Sequence, residues 1–162
     1  MYQPYPGGAQ MPEVQRPPAP GSVRNAVKLM YAGAVASLIG IAIDLTTLTA
    51  TKNAMERQFP NLTASQVTAQ ERPLMVGWIA GGLIAAALWI FIARNCQSGK
   101  SWARITGTLL FGIATMDALG NLVVPEAALV KIFWFVIWLI GLGAVVFLWR
   151  GSSSAYFRGT QA

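Results

Sequence analysis

The chain has 162 residues, 54% of them hydrophobic and 11% charged; a soluble domain carries about a quarter charged residues, so the composition points to a membrane. The net charge of +6 sits at the ends of apolar runs rather than in a basic patch with aromatic residues between, which argues against nucleic acid as a partner. A single cysteine, Cys96, and no histidine exclude an intrachain disulfide and a Cys-x-x-Cys site, and remove His-based triads, the usual haem ligation and most zinc sites.

Residues 1–22 hold six of the nine prolines, with Gly, Gln and Tyr between them. Such a segment cannot bury a core and reads as a disordered Pro-rich tail, either a solvated tether or a ligand for a partner domain. It opens without the early basic cluster of a signal peptide. Four apolar runs of about 20 residues follow, each long enough to cross roughly 30 Å of hydrocarbon as a helix. The first covers about residues 26–50 and is entered by Arg24 and Lys28. On it Gly33, Ser37, Gly40, Asp44 and Thr47 recur at steps of four and three and share one face. That is the small-residue spacing by which membrane helices approach closely.

Residues 51–72 read as a polar loop, broken at Phe59-Pro60-Asn61. Within it Thr63 and Gln66 fit a capping box for a short helix over 64–71. The second spanning helix starts near Pro73, a residue suited to a first helical turn, and covers 74–94. Gly77, Gly81 and Ala85 give it a GxxxG-type stripe. A short basic turn containing Gly99 leads to the third helix, 102–124, which carries Asp117 and Asn121 well inside an otherwise apolar run. Pro125-Glu126 closes it and opens the fourth, 129–149, and residues 152–162 form a polar C-terminal tail. Trp78, Trp134 and Trp138 fall toward one interface and Trp89, Trp102 and Trp149 toward the other, the aromatic belt of a bundle with four crossings. The fold class predicted is therefore all-α, a four-helix transmembrane bundle over 23–151 between two tails.

Orientation follows from Lys and Arg. Arg16, Arg24, Lys28, Arg94, Lys100, Arg104, Arg150 and Arg158 fall on one side; Lys52, Arg57, Arg72 and Lys131 fall on the other, diluted by Glu56, Glu71 and Glu126. The richer side, which holds both termini, is predicted to be cytoplasmic.

The stretches VRNAVKLMYAGAVASLIGI, LTASQV, WARITGTLLFGI and WLIGLGAVVFLWRGSSSAYF, with the Pro-rich tail, resemble small, uncharacterised four-helix integral membrane proteins of high-GC actinobacteria. The resemblance implies a multi-pass protein of a bacterial plasma membrane and brings no activity, cofactor or site residue with it. The abundance of Ala and Gly and the scarcity of Lys beside Arg agree with a high-GC genome.

The polar residues within the apolar runs are the candidate site. With both termini inside, Asp44 lies roughly 24 Å along its helix from Lys28 and Asp117 roughly 22 Å from Trp102, so the two acids have similar depth in the outer half of the bilayer. Their side chains lean toward the membrane centre. If they met, they would share a proton, with Asn121 and Thr46 or Thr47 as hydrogen-bond partners. The competing structural reading has Asp44 among headgroups and Asp117 fixing helix register through a hydrogen bond. Lys131 is a rim charge. No metal or cofactor is implied. The predicted function is a non-enzymatic accessory or scaffold subunit, with the lipid bilayer and a homo-oligomer or larger membrane complex as its surroundings. The alternative is a small ion- or proton-coupled transporter using Asp44 and Asp117. An enzyme ranks third, because Cys96 stands alone and no acidic or His cluster appears.

Overall fold

A computed structural model describes residues 18–159 apart from 62, 125 and 126. The described residues form six helices: α1 (Gly21–Thr46), α2 (Leu48–Gln58), α3 (Ala64–Gln97), α4 (Ser101–Asn121), α5 (Ala128–Leu148) and α6 (Gly151–Gly159). The fold is all-α. Most of the predicted N-terminal tail, and the Pro125-Glu126 junction, lie outside the described residues.

Helix α1 starts directly after Pro20, whose carbonyl accepts the Arg24 N–H at 3.1 Å. The start moves from the predicted 26 to Gly21 because, once the prolines stop, every backbone N–H is free to join the ladder. The helix ends where Thr46 and Thr47 turn their hydroxyls back onto the Ile43 carbonyl, at 2.9 and 2.7 Å, a local bond that competes with the ladder. Helix α2 then occupies much of what reads in the sequence as loop.

The capping box at Thr63 is present: Gln66 Oε1 accepts the Thr63 N–H at 2.8 Å and Thr63 Oγ1 accepts the Gln66 N–H at 3.4 Å. The short helix it was predicted to open does not stop before Pro73. It runs on as one 34-residue helix with Pro73 inside. The missing proline N–H leaves the Ala69 carbonyl without its intrahelical donor. Ala69 and Pro73 are both exposed, so surrounding polar groups can take its place. Gly99, at φ 74°, supplies the left-handed turn after α3. There the Lys100 N–H reaches the Asn95 carbonyl at 3.1 Å, the long bond of a glycine-terminated helix.

Among the described residues three stretches are long and apolar enough to cross a membrane: Gly21–Thr46, Met75–Gln97 and Ala128–Leu148. Helix α4 matches α5 in length at 21 residues. Its Arg104, Asp117, Asn121 and three threonines dilute its apolar character, and it is not among the three.

Helix α1 packs along α3 on one side and α5 on the other, and α4 joins α3 to α5 across from it. Glycines set the close approaches. A Cβ on Gly33 would stand 2.8 Å from Trp89 Cε2, and one on Gly141 would stand 2.9 Å from Phe111 Cδ2 and 3.5 Å from Trp89 Cη2. Trp89 of α3 therefore wedges between the bare backbones of α1 and α5, with Phe111 of α4 beside it. At one end, Val23, Met30, Ala93, Cys96, Ala103 and Leu148 form a buried cluster closed by Phe157 of α6. The SSSAYF segment, read in the sequence as part of a polar tail, is thus a docked helix. Ser153 donates to the Phe147 carbonyl at 2.8 Å, Ser101 donates to the Phe157 carbonyl at 2.9 Å, and the Tyr156 hydroxyl donates to the Gln97 carbonyl at 3.1 Å.

Candidate functional site

The predicted small-residue face of α1 is its buried face: Gly33, Ser37, Gly40 and Asp44 are all buried. Asp44 is 3% exposed. One turn before it, a Cβ on Gly40 would meet Phe133 Cε1 at 3.3 Å and Trp134 Cζ2 at 3.7 Å. The absence of that Cβ lets the Trp134 ring of α5 lie against α1 beside Asp44. Ser37 returns its hydroxyl to the Gly33 carbonyl at 2.9 Å. Thr47 likewise bonds its own helix, donating to the Ile43 carbonyl at 2.7 Å, and makes a longer contact of 3.4 Å with the Asp44 carbonyl. The site around Asp44 is therefore a packed contact between α1 and α5.

Asp117 has different surroundings. It is exposed on α4, and its Oδ2 accepts a 3.0 Å bond from Asn121 Nδ2 one turn on. Lys131 Nζ donates to the Leu122 carbonyl at 3.1 Å and ties the start of α5 to the end of α4. Gln58 of α2 donates to the neighbouring Val123 carbonyl at 3.2 Å. Asp44 thus lies beside Trp134 and Asp117 bonds Asn121, and the two acids belong to helices facing each other across the ring. The structure joins Asp117 to Asn121 and does not bring Asp44 to either.

Two of the tryptophans that the sequence assigns to an aromatic belt also join helices. Trp138 Nε1 donates to Thr115 Oγ1 at 2.9 Å, and Trp149 Nε1 donates to Thr108 Oγ1 at 2.9 Å. Arg104 lies with its guanidinium carbon 4.2 Å from the centre of the Trp149 ring and 5.3 Å from that of Phe157, while Nη1 donates to Ser154 at 3.0 Å. The spacing of Thr108 and Thr115 on α4 and of Trp138 and Trp149 carries the signal for these bonds, but only once α4 and α5 are known to adjoin. Cys96 is fully buried in the core cluster. Among the described residues no three His, Cys, Asp or Glu are grouped so as to hold a metal.

Comparison with family models, with curated proteins and with solved structures finds no match. The likeness to small actinobacterial membrane proteins has no identified family behind it. What stands is a small helical protein with three long apolar helices that could cross a membrane.

Proposed function

We propose that the chain is a non-enzymatic, multi-pass membrane protein in which α1, α3, α4 and α5 all span the bilayer, and that it serves as a scaffold or accessory subunit of a homo-oligomer or larger membrane complex. The carrying observation is the pair Asp117 and Asn121, exposed on α4 among exposed Ile113, Met116 and Leu119. A charged side chain at the centre of a spanning helix costs at least about 2.5 kcal/mol against lipid, and less toward the interface. A neighbouring subunit that covers this face removes that cost. Gly77 and Gly81 of α3 support the same reading, since a Cβ on either meets nothing within 4 Å. The stripe that lets membrane helices approach closely is unused within the chain.

The basic end, with the N-terminus of α1 and helix α6, is assigned to the cytoplasm from the Lys and Arg balance. The sequence resemblance supports a bacterial plasma membrane. The transport alternative requires Asp44 and Asp117 to share a water-filled space. Their separate surroundings leave it without an observation in its favour.

Purification of the full chain in mild detergent, with crosslinking and native mass spectrometry, tests the proposal. The wild type is expected as an oligomer or in complex with other membrane proteins, and Gly81→Leu is expected to shift it toward the monomer. A wild type that runs alone, without partners, refutes it.

A further inference from the structure

The basic end holds a feature that neither the helix packing nor the proposed scaffold role uses. A groove of about 230 Å³ opens where the N-terminal turns of α1 meet the end of α3. Val23 and Val27 form its floor, Gln97 stands at its edge, and Arg24, Lys28 and Tyr31 rise beside it. These last three recur at steps of four and three, so they stand one above another on the helix. All three are exposed. Two cations one turn apart repel each other unless an anion lies between them. Asp44 of α1, Glu56 of α2 and Asp117 of α4 belong to the opposite end of the molecule.

The same stripe continues as hydrocarbon. Val35 and Leu38 follow Tyr31 at steps of four and three and are 58% and 48% exposed. From Lys28 to Leu38 is roughly 15 Å along the helix, half of a hydrocarbon thickness of about 30 Å and so the depth of one leaflet. A guanidinium, an ammonium and a phenol hydroxyl are donors suited to phosphate oxygens. Below them lies an apolar track one leaflet deep. Charge and polarity along this single stripe match an amphiphile with an anionic head and a long chain.

We infer that this groove binds an anionic phospholipid, with the headgroup phosphate held by Arg24, Lys28 and Tyr31 and an acyl chain lying over Val35 and Leu38. The inference rests on the membrane reading, but on neither the oligomer nor the scaffold role. A free phosphate would engage the head of the site and leave the track empty, so the lipid is the occupant that uses all of it.

The test is lipid retention by the full-length protein in neutral detergent, measured by native mass spectrometry with phosphatidylglycerol and phosphatidylcholine of the same acyl chains. The wild type is expected to retain phosphatidylglycerol with a preference of about tenfold or more. The double variant Arg24→Gln/Lys28→Gln is expected to lose that preference. Arg94→Gln/Arg158→Gln, which removes as much charge from the same end away from the groove, is expected to keep it. Equal retention by the Arg24/Lys28 variant, equal loss by the Arg94/Arg158 variant, or displacement of the lipid by millimolar inorganic phosphate would each overturn the site. Carbonate washing of membranes separates the two ideas. A wild type that stays in the membrane without preferring phosphatidylglycerol removes the lipid site alone, whereas one that washes out removes the membrane reading with it.

Discussion

At the scale of single residues, a missing Cβ matters most at Gly33. Its would-be methyl stands 2.8 Å from a ring carbon of Trp89, and that indole is hemmed in on its far side by Gly141 and Phe111. Gly33→Ala is therefore expected to lower stability by about 1–3 kcal/mol, the usual cost of overpacking, and to lower the melting temperature in detergent. Gly77→Ala, which meets open space, is expected to leave it unchanged; equal melting of the two variants would mean that Trp89 swings freely. The contact of Asp44 with Trp134 is the other residue-scale test. Trp134→Phe keeps an aromatic ring but removes the indole N–H beside Asp44, and a side-chain hydrogen bond inside a membrane protein is worth about 0.6 kcal/mol on average and up to about 1.7. A loss in that range is expected, with Asp44→Asn and Trp134→Phe together costing less than the sum of the single changes. Strict additivity would show that the contact contributes nothing. The face carrying Gly33, Ser37, Gly40 and Asp44 was legible from spacing alone. Its partners were not, because a helical period gives the direction a residue faces and says nothing about which helix lies there.

At the scale of elements, α6 is where sequence and structure part most clearly. Nine residues rich in serine form at best a marginal helix in water, so no local signal distinguishes this one from a tail. Docking makes it a helix. Phe157, 1% exposed, fills the end of the core, and three serine or tyrosine hydroxyls bond the surrounding backbone. Phe157→Ala is expected to cost about 3–5 kcal/mol of local or global stability. The buried Cys96 thiol in the same cluster provides the readout. In the wild type it should resist a maleimide until the protein is denatured, and in Phe157→Ala it should be labelled in the folded protein. Labelling at the same slow rate in both would show that α6 does not cover the cluster. The sequence was more informative at the other turns. The Thr63 capping box and the Gly99 turn are local motifs with local bonds, and both are present. Pro73 misled because a proline suited to a helix start is also tolerated inside a helix where the orphaned carbonyl is exposed.

At the scale of the molecule, composition alone pointed to lipid as the solvent of the long helices, and three of them are long and apolar enough to cross a membrane. The same reading gave Asp44 and Asp117 similar depths but could not give their angular positions around the bundle. Those depend on α1 and α4 lying across from one another, with α3 and α5 between. Orientation is open to a direct test on sealed cells with an impermeant thiol reagent. Asn53→Cys on α2 is expected to label from outside, and Ala155→Cys on α6 only after lysis. The reverse pattern would invert the orientation. Docking of α6 against the start of α1 also has a consequence for how the protein is made. Ser22 bonds Ser152 and Ser153 at 2.8 and 2.7 Å, so this end of the structure closes only once residues 130 positions further along the chain have been made. A chain halted before that point would lack Phe157 and leave the cluster around the Cys96 thiol uncovered.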